Sequence, residues 1–280
     1  MPDTQDTSSL HLKSVIAALW TGNLFAPFLM SGVAAMLPSI GESLGASAVA
    51  LSLVMVCYNL GQSISHMLSG RVADMFGVKR TLLVGVGCFC LFCACMGLAP
   101  AMGVLIPLRF AQGVAAATIS CAVTTLSVTL APAHIRGQVI SIVVSAVYLG
   151  LAIGPLACGG LSELSGWRSV FFIIAALSLV EWMLLRYVIP ELPREGERRS
   201  FDMKSALLGA GGLACVTMGA TCTFLHPAVV GLLPAGLCLM AAFVRREWIS
   251  SDPMLDLKLL SKVPGLPDGM AAVFINYGSF

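Results

Sequence analysis

Two charged side chains stand inside stretches of the chain that are otherwise apolar. Arg109 lies in an apolar run from Val104 to Leu130, and Glu181 lies in one from Ser169 to Ile189. A charge inside a bilayer is costly unless it faces water or a partner, so both residues are candidates for handling ions or polar compounds. Gln112 follows Arg109 at i+3 on the same helical face, so the two side chains can point into one polar cavity.

Each of these charges also has a purely structural interpretation. Arg109 lies near one end of its run, from which its long side chain could extend to the membrane surface. Glu181 is close to Arg186 and to Pro190, where the run ends, so a glutamate at the interface, paired through water, is an equal alternative. A Glu181 buried in the membrane would instead be suited to carry a proton.

The apolar runs that hold these residues determine the fold class. The chain is 58% hydrophobic and 11% charged, whereas soluble domains are about 25% charged. A bilayer core about 30 Å thick needs about 20 helical residues, and eight runs reach roughly that length. They are Val15 to Pro38, Ala48 to Leu68, Thr81 to Leu98, Val104 to Leu130, Val139 to Leu161, Ser169 to Ile189, Ala206 to Leu225 and Ala228 to Val244. The sequence predicts an all-α transmembrane protein.

The two long charged connections divide the chain. We expect an N-terminal six-helix bundle over residues 1–190, a cytoplasmic linker over 191–204 and an extra helix pair over 205–245. A cytoplasmic loop follows over 246–268, and residues 269–280 begin a ninth span. At about 1.5 Å per residue that last run is too short to cross a membrane, so it is interpreted as truncated.

The basic residues indicate the orientation. With a cytoplasmic N-terminus, fourteen Lys and Arg residues fall in cytoplasmic loops and only Arg168 falls outside, which the positive-inside rule favours. We therefore predict a multi-pass protein of the cell's inner membrane. The lipid bilayer is its expected surrounding, no nucleic-acid partner is predicted, and the oligomeric state is left open.

A four-residue pattern occurs twice in the first six runs with the same internal spacing. The two copies are separated by 89 residues, or three runs, which reverses the direction of the chain and is typical of an inverted 3+3 repeat. The copies are Gly70, Asp74, Gly77 and Lys79, and Gly159, Glu163, Gly166 and Arg168. This repeat favours a transporter over a receptor.

Small and polar residues suggest how the helices contact one another. Gly150, Gly154 and Cys158 recur every fourth residue, which permits close helix approach, and Pro155 can bend that helix, either for gating or within a static contact.

Further polar residues lie on or beside the second run. Asn59 and Gln62 share one helical face and either line a cavity or bond to a neighbouring helix. Asp74 and Arg136, in successive cytoplasmic loops, can form a charge pair.

Four motifs together resemble one transporter family. GRVADMFGVKR, from Gly70 to Arg80, resembles the hallmark loop of the major facilitator superfamily, and RFAQGVAAA, from Arg109 to Ala117, resembles its fourth-span motif. GLAIGPLACGG, from Gly150 to Gly160, and LPSIGESLGAS, from Leu37 to Ser47, are similar to motifs of its drug:proton antiporters. The loops PELPREGERRSFD and RREWISSDPMLDLKLL are similar to the fourteen-span branch, in which an extra helix pair joins two six-helix bundles.

The resemblance implies proton-coupled export of small organic compounds, with a small-molecule substrate and protons as partners. It implies a role for Arg109 and Gln112 in proton coupling or substrate contact. It also implies a conformational role for the hallmark and fifth-span residues. These conformational residues are Gly70, Asp74, Gly77, Lys79, Arg80, Arg136, Gly150, Gly154, Pro155 and Gly159. The sequence contains no motif of a soluble enzyme, so no cofactor, metal or enzymatic activity is predicted.

Two alternatives stay open beside the exporter. Leu29 stands where drug antiporters of this branch often have an acidic residue, so a proton-coupled metabolite importer of the same superfamily is one. The other is a truncated membrane remnant that does not transport, since alternating access in this fold needs two bundles and the chain supplies one complete bundle.

Overall fold

A computed structural model of the chain describes residues 3–192, 202–222 and 227–249, and all of its regular structure there is helical. The predicted ninth span, most of the loop before it and most of the predicted linker lie outside these residues, while the first four residues of that predicted loop, 246–249, belong to a helix. The helices in chain order are α1 (Asp3–Gly22), α2 (Phe25–Leu44), α3 (Ala48–Phe76), α4 (Val78–Gly97), α5 (Met102–Leu130), α6 (Arg136–Ser165), α7 (Trp167–Val188), α8 (Met203–Thr221) and α9 (Leu232–Ile249), with a 3₁₀ turn at Pro227–Gly231.

Seven of the described helical segments are long and apolar enough to cross a membrane. One of them joins the end of α1 to α2 over Leu12–Leu44, five correspond to α3 through α7, and the last is Val229–Ile249. The prediction of an all-α transmembrane fold is therefore confirmed. Helix α8, which covers most of the run predicted at Ala206 to Leu225, is not among the seven, and the last three residues of that run lie outside the described residues.

The first predicted span is interrupted rather than continuous. Helix α1 ends at Gly22 and α2 begins at Phe25. At the break the Asn23 N–H donates to the Leu19 carbonyl at 3.1 Å. Pro27, four residues after Asn23, has no N–H to donate to the Asn23 carbonyl, so one helical hydrogen bond is missing here. The ladder resumes with the Phe28 N–H, which donates to the Leu24 carbonyl at 3.1 Å.

Helices α1 to α7 form one bundle with an apolar core. Helix α3 packs against α5, α2 against α6, and α4 against both α5 and α7, while α8 pairs with α9 and contacts α3. Leu29, Phe89 and Phe171 are buried at the centre, whereas Leu156 and Leu164 on α6 are 80% and 86% exposed. Large apolar side chains on the outer surface are suited to contact with lipid tails, and they would be costly in water.

The predicted internal repeat has a geometric counterpart. Gly77 before α4 has φ 92° and ψ 138°, and Gly166, 89 residues later and before α7, has φ 80° and ψ 154°. This left-handed region favours glycine. Both N–H groups donate at 2.9 Å to the carbonyl four residues earlier, Ala73 in the first copy and Ser162 in the second.

The charges after these two glycines also make corresponding contacts. Lys79 Nζ lies 3.5 Å from Glu191 Oε1, just after α7, and Arg168 Nη2 donates at 3.1 Å to the Ala99 carbonyl, just after α4. Each thus links the start of one helix to the end of its packed neighbour. The predicted pair of Asp74 and Arg136 is not formed in the described structure. Both side chains are exposed, and neither forms an ion pair within 4 Å.

The α8–α9 pair is connected by a surface charge cluster. Asp202 caps α8 by accepting hydrogen bonds from the N–H groups of Lys204 and Ser205 at 3.0 and 3.3 Å. Arg246 on α9 reaches the same carboxylate, with Nη2 3.0 Å from Oδ2. Partial burial opposes ionisation, but hydrogen bonds from Ser205, Arg246 and the backbone outweigh it and lower the pKa of Asp202 to about 2.

Candidate functional site

Arg109 is completely buried about two turns into α5. Its Nη1 donates to Gln112 Oε1 at 2.6 Å, and its Nε donates to the Val54 carbonyl of α3 at 3.4 Å. Its Cζ lies 4.7 Å from the centroid of the Tyr58 ring, within the range of a cation–π interaction. The side chain is therefore directed into the bundle and does not extend to the membrane surface.

Gln112 connects Arg109 to a third helix. Its Nε2 donates to Cys93 Sγ of α4 at 3.1 Å while its oxygen accepts from Arg109. Tyr58, beneath the guanidinium, donates its hydroxyl to the Ala26 carbonyl of α2 at 3.4 Å. Four helices therefore meet at one polar centre, which we call the Arg109 centre and define by Arg109, Gln112, Tyr58, Cys93 and the Val54 carbonyl.

The seam between α3 and α5 holds this centre in place. A methyl group built on Gly113 would overlap the Tyr58 carbonyl oxygen, and one built on Gly61 would overlap the Phe110 carbonyl oxygen. Only glycine lets the two backbones approach this closely. This contact fixes the height of Arg109 relative to Val54 and Tyr58.

The Arg109 centre carries a buried positive charge with unused capacity for hydrogen bonding. Arg109 Nη2 has no hydrogen-bond partner among the described residues. A guanidinium remains protonated in proteins and presents donors in a fixed planar arrangement. The centre can therefore hold an anionic or hydrogen-bond-accepting group, or repel a proton or cation that approaches it.

The other predicted pathway residues do not join this centre. Asn59 and Gln62 are half-buried on α3, and neither side chain forms a hydrogen bond to Arg109 or Gln112. Glu181 is 5% exposed on α7, two turns before that helix ends. Arg186 lies over the Trp182 ring at 6.0 Å and forms no direct ion pair with Glu181. The interpretation of Glu181 as an interfacial residue paired through water stays a prediction.

The predicted glycine ladder on α6 packs against α2. Methyl groups built on Gly154 and on Gly32 would overlap the Phe28 carbonyl oxygen and Cys158 Sγ, respectively, and one on Gly150 would lie 2.8 Å from the Leu24 carbonyl oxygen. Helix α6 continues through Pro155 from Arg136 to Ser165. The close approach that the small residues predict is present.

Sequence reasoning missed three members of the Arg109 centre. Tyr58 and Cys93 were not among the residues predicted to line the pathway. The Val54 carbonyl carries no sequence signal at all. The signal available for Tyr58 was its position in a run containing Asn59 and Gln62, because polar side chains along one span indicate a polar interior.

Comparison with known proteins identifies the family. The model of the Major Facilitator Superfamily matches residues 19–275. The chain belongs to that superfamily. Its fold is also that of the proton:xylose symporter XylE, with a TM-score of 0.59 at 17% identity, covering 87% of this chain and 55% of XylE.

Curated relatives within the superfamily bear names that describe drug resistance and export. The chain is 33% identical to the puromycin resistance protein pur8 of Streptomyces alboniger, over 87% of this chain and 47% of the relative. It is 29% identical to the cephamycin export protein CmcT of Amycolatopsis lactamdurans, over 97% of this chain and 57% of the relative. The chain thus spans about half the length of the curated relatives it matches.

Proposed function

We propose that this superfamily member exports small organic compounds in exchange for protons, as a drug:proton antiporter of the fourteen-span branch. The observation that carries the proposal is the fully buried Arg109 centre inside a superfamily bundle. Relatives named for puromycin resistance and cephamycin export support the class of substrate. The helix pair α8–α9, which follows the six-span bundle of residues 1–190, supports the branch.

Within this function Arg109 and Gln112 contact substrate or govern proton access. A buried permanent cation disfavours a second positive charge nearby and favours an acceptor group, so it can couple substrate binding to the protonation of a carboxyl elsewhere. Gly150, Gly154 and Pro155 on α6 and the hallmark residues around Gly77 would allow the helices to shift between two states.

The test is transport by the purified 280-residue chain in liposomes with an imposed pH gradient. Puromycin is the first probe, xylose is the comparison, and proton movement is followed with an internal pH dye. The measurement is made at two protein densities, because alternating access in this fold uses two bundles and a second copy could supply one.

The proposal expects saturable movement of puromycin or a related organic compound, together with an opposite movement of protons. Absence of flux at both densities, with folded protein present, would favour the non-transporting alternative. Uptake of xylose along with protons would favour the importer. The buried Leu29 is compatible with that alternative, because drug antiporters of this branch often have an acidic residue at this position.

We also propose that the N-terminus is cytoplasmic and that the protein resides in the inner membrane. An epitope inserted at Glu195, in the basic linker, should be accessible to antibody only after cells are permeabilised. Detection of the epitope on intact cells would reverse the orientation.

A further inference from the structure

Glu181 forms the focus of a second polar region, in the opposite half of the bundle from Arg109. Its Oε1 is buried and has no hydrogen-bond partner among the described residues. A methyl group built on Gly22 would lie 3.0 Å from this oxygen, and it would also lie 3.6 Å from Val123 and 3.9 Å from Leu185. The carboxylate therefore points at the end of α1 between apolar walls.

The element that Glu181 faces is the break between α1 and α2. The Asn23 carbonyl there has no helical donor, because Pro27 occupies the fourth position after it. The Asn23 side chain anchors the break by donating from Nδ2 to the Val143 carbonyl of α6 at 3.2 Å. A buried carboxyl thus lies beside a two-residue interruption of the helix, at which the Asn23 carbonyl lacks its usual helical donor.

A second polar group on α7 is in the same condition. Ser178 is 1% exposed, one turn before Glu181, and its Oγ has no partner among the described residues. Isolated buried polar atoms are rare in native proteins and need an explanation, which a bound ligand or a change of protonation can supply. Two such atoms on one face of α7 point to a site.

Charged groups on the surrounding helices do not neutralise Glu181. On α7 itself, Arg186 lies against Trp182. On α1, Lys13 is exposed, more than two turns before Gly22. On α4, Lys79 is paired with Glu191, and on α5 the thiol of Cys121 lies against Gly70 of α3.

The remaining titratable groups are farther along their helices. Glu42 is in the last turn of α2, and Arg136 and Glu163 are in the end turns of α6. In the described part of the chain none of these groups is within 4 Å of the Glu181 carboxylate in an ion pair.

The 89-residue offset relates this region to the Arg109 centre. The offset pairs Arg109 with Trp20, Gln112 with Asn23, and Val54 with Val143. The Val54 carbonyl accepts from Arg109 at 3.4 Å, and the Val143 carbonyl accepts from Asn23 at 3.2 Å. Both repeats thus use the same main-chain position to hold a polar side chain from their neighbouring helix, one in each half of the bundle.

We propose that Glu181, together with the α1–α2 break at Gly22 to Leu24, forms a proton-binding site. A proton from water adds to the carboxylate to give a neutral acid, which can stay in the closed apolar surroundings. Loss of the proton to water restores an anion that is stable only when the break opens and admits solvent. This assignment deepens the proposed proton coupling and rests on it for its role in transport, but proton binding itself can be measured without transport.

The test is labelling of the folded 280-residue chain in lipid nanodiscs with a hydrophobic carbodiimide, which adds to protonated carboxyl groups. The adduct at Glu181 is quantified by mass spectrometry in buffers from mildly acidic to alkaline pH, in the absence and presence of sodium. Above the pKa of a titrating carboxyl its protonated fraction falls about tenfold per pH unit, and the adduct should fall in the same way. Glu181→Gln should remove the adduct.

Gly22→Ala tests the geometry, because its methyl group would crowd Oε1 and should change the pH at which labelling is half-maximal. Gly160→Ala is the matched control, since a methyl group there meets nothing within 4 Å. If Gly22→Ala does not fold, the pH profile of the unaltered chain decides alone. Labelling that is absent or independent of pH would overturn the proposal, as would protection by sodium at constant pH, which would indicate a metal-cation site.

A transport assay without flux, combined with pH-dependent labelling of Glu181, would contradict the proposed function and leave the proton site standing. Flux without pH-dependent labelling would support the proposed function and contradict the proton site at Glu181.

Discussion

Arg109 and Glu181 are both buried in the bundle, yet their surroundings differ. Arg109 has an amide, a carbonyl and an aromatic ring within contact distance, whereas Glu181 Oε1 has no hydrogen-bond partner among the described residues. A permanently charged guanidinium must be solvated by the protein at all times, while a carboxyl can become neutral instead. The bundle thus combines a fixed charge with one that can change.

The backbone is continuous beside Arg109 and interrupted beside Glu181. Beside Arg109, the glycine seam of α3 and α5 holds two continuous helices in close contact. Beside Glu181, the helix itself is interrupted between Gly22 and Phe25. A rigid surrounding suits a charge that never changes, and a break suits one that alternates between a closed and a hydrated state.

The strongest way to break this comparison is to remove the fixed charge. Arg109→Ala should lower proton-driven transport by about 10- to 100-fold, because it removes the fully buried cation of the Arg109 centre. Arg109→Lys should restore part of it, since the charge returns without the planar donor geometry. Transport is measured in liposomes, with the amount of inserted protein as the reference.

Arg245→Ala, at an exposed position on α9, is the matched control and should transport normally. Unchanged transport in Arg109→Ala would return Arg109 to a structural role. If the unaltered chain moves no compound at low protein density, the same variants are compared at the higher density, where a second copy can supply the second bundle. Proton movement there decides whether Arg109 has a role in transport or only in structure.

The second prediction compares the packing of the two halves. Gly113→Ala should destabilise the fold by about 1–3 kcal/mol, because its methyl group overlaps the Tyr58 carbonyl of a neighbouring helix. Gly150→Ala should cost less, since its methyl group would lie 2.8 Å from the Leu24 carbonyl, beside the break in the helix. Thermal unfolding in detergent measures both.

Gly103→Ala provides the baseline for this series, because a methyl group there meets nothing within 4 Å. A larger loss of stability for Gly150→Ala than for Gly113→Ala would mean that the contact between α2 and α6, beside the break, is more rigid than the contact between α3 and α5.

Much of the fold could be predicted from the sequence, because membrane spans are encoded by long apolar runs and loop charges. The helices α4 to α7 coincide closely with the predicted runs, and α3 begins as predicted but continues beyond Leu68 to Phe76. The offset found at Gly70 and Gly159 reappears in the dihedral angles of Gly77 and Gly166. The contact of Arg109 with Gln112 followed from their spacing on one helical face.

What could not be predicted depends on contacts between distant segments. The break at Asn23 is invisible to hydropathy, since Gly22, Leu24 and Phe25 continue an apolar run, and only Pro27 signals it. The burial of Glu181 depends on Gly22 leaving room for its carboxylate. The repeat can be recognised in the loops, but its extension to Val54 and Val143 needed the hydrogen bonds that these carbonyls accept from Arg109 and Asn23, respectively.

The third prediction compares the two amides that occupy equivalent positions. Gln112→Ala should cost about 1.5–3 kcal/mol, because it removes the hydrogen bond that Arg109 Nη1 makes and leaves a charged donor buried. Asn23→Ala should cost about 1 kcal/mol, since the Val143 carbonyl lies within α6 and keeps its helical donor. Chemical denaturation of the purified variants gives both values.

Asn59→Ala is the control for this pair, since it removes an amide of the same type from a half-buried position on α3 that does not contact either charge. Equal costs for Gln112→Ala and Asn23→Ala would show that the charge of Arg109 does not raise the value of its hydrogen bond.

The smallest effect is expected at Trp20, which the offset pairs with Arg109. Trp20 Nε1 donates to Ser145 Oγ at 3.1 Å in a partly exposed position, so Trp20→Phe should cost at most about 1 kcal/mol and leave transport intact. Trp182→Phe is the matched control, because Trp182 Nε1 also donates one hydrogen bond, to the Leu83 carbonyl at 2.9 Å. We expect both tryptophan variants to lose little stability and to keep transport, whereas Arg109→Ala loses transport. That result would show that the equivalent positions Trp20 and Arg109 share their geometry but that only Arg109 is needed for transport. A loss of transport in Trp20→Phe but not in Trp182→Phe would contradict this, and would assign the indole a direct part in the movement of the α1–α2 break.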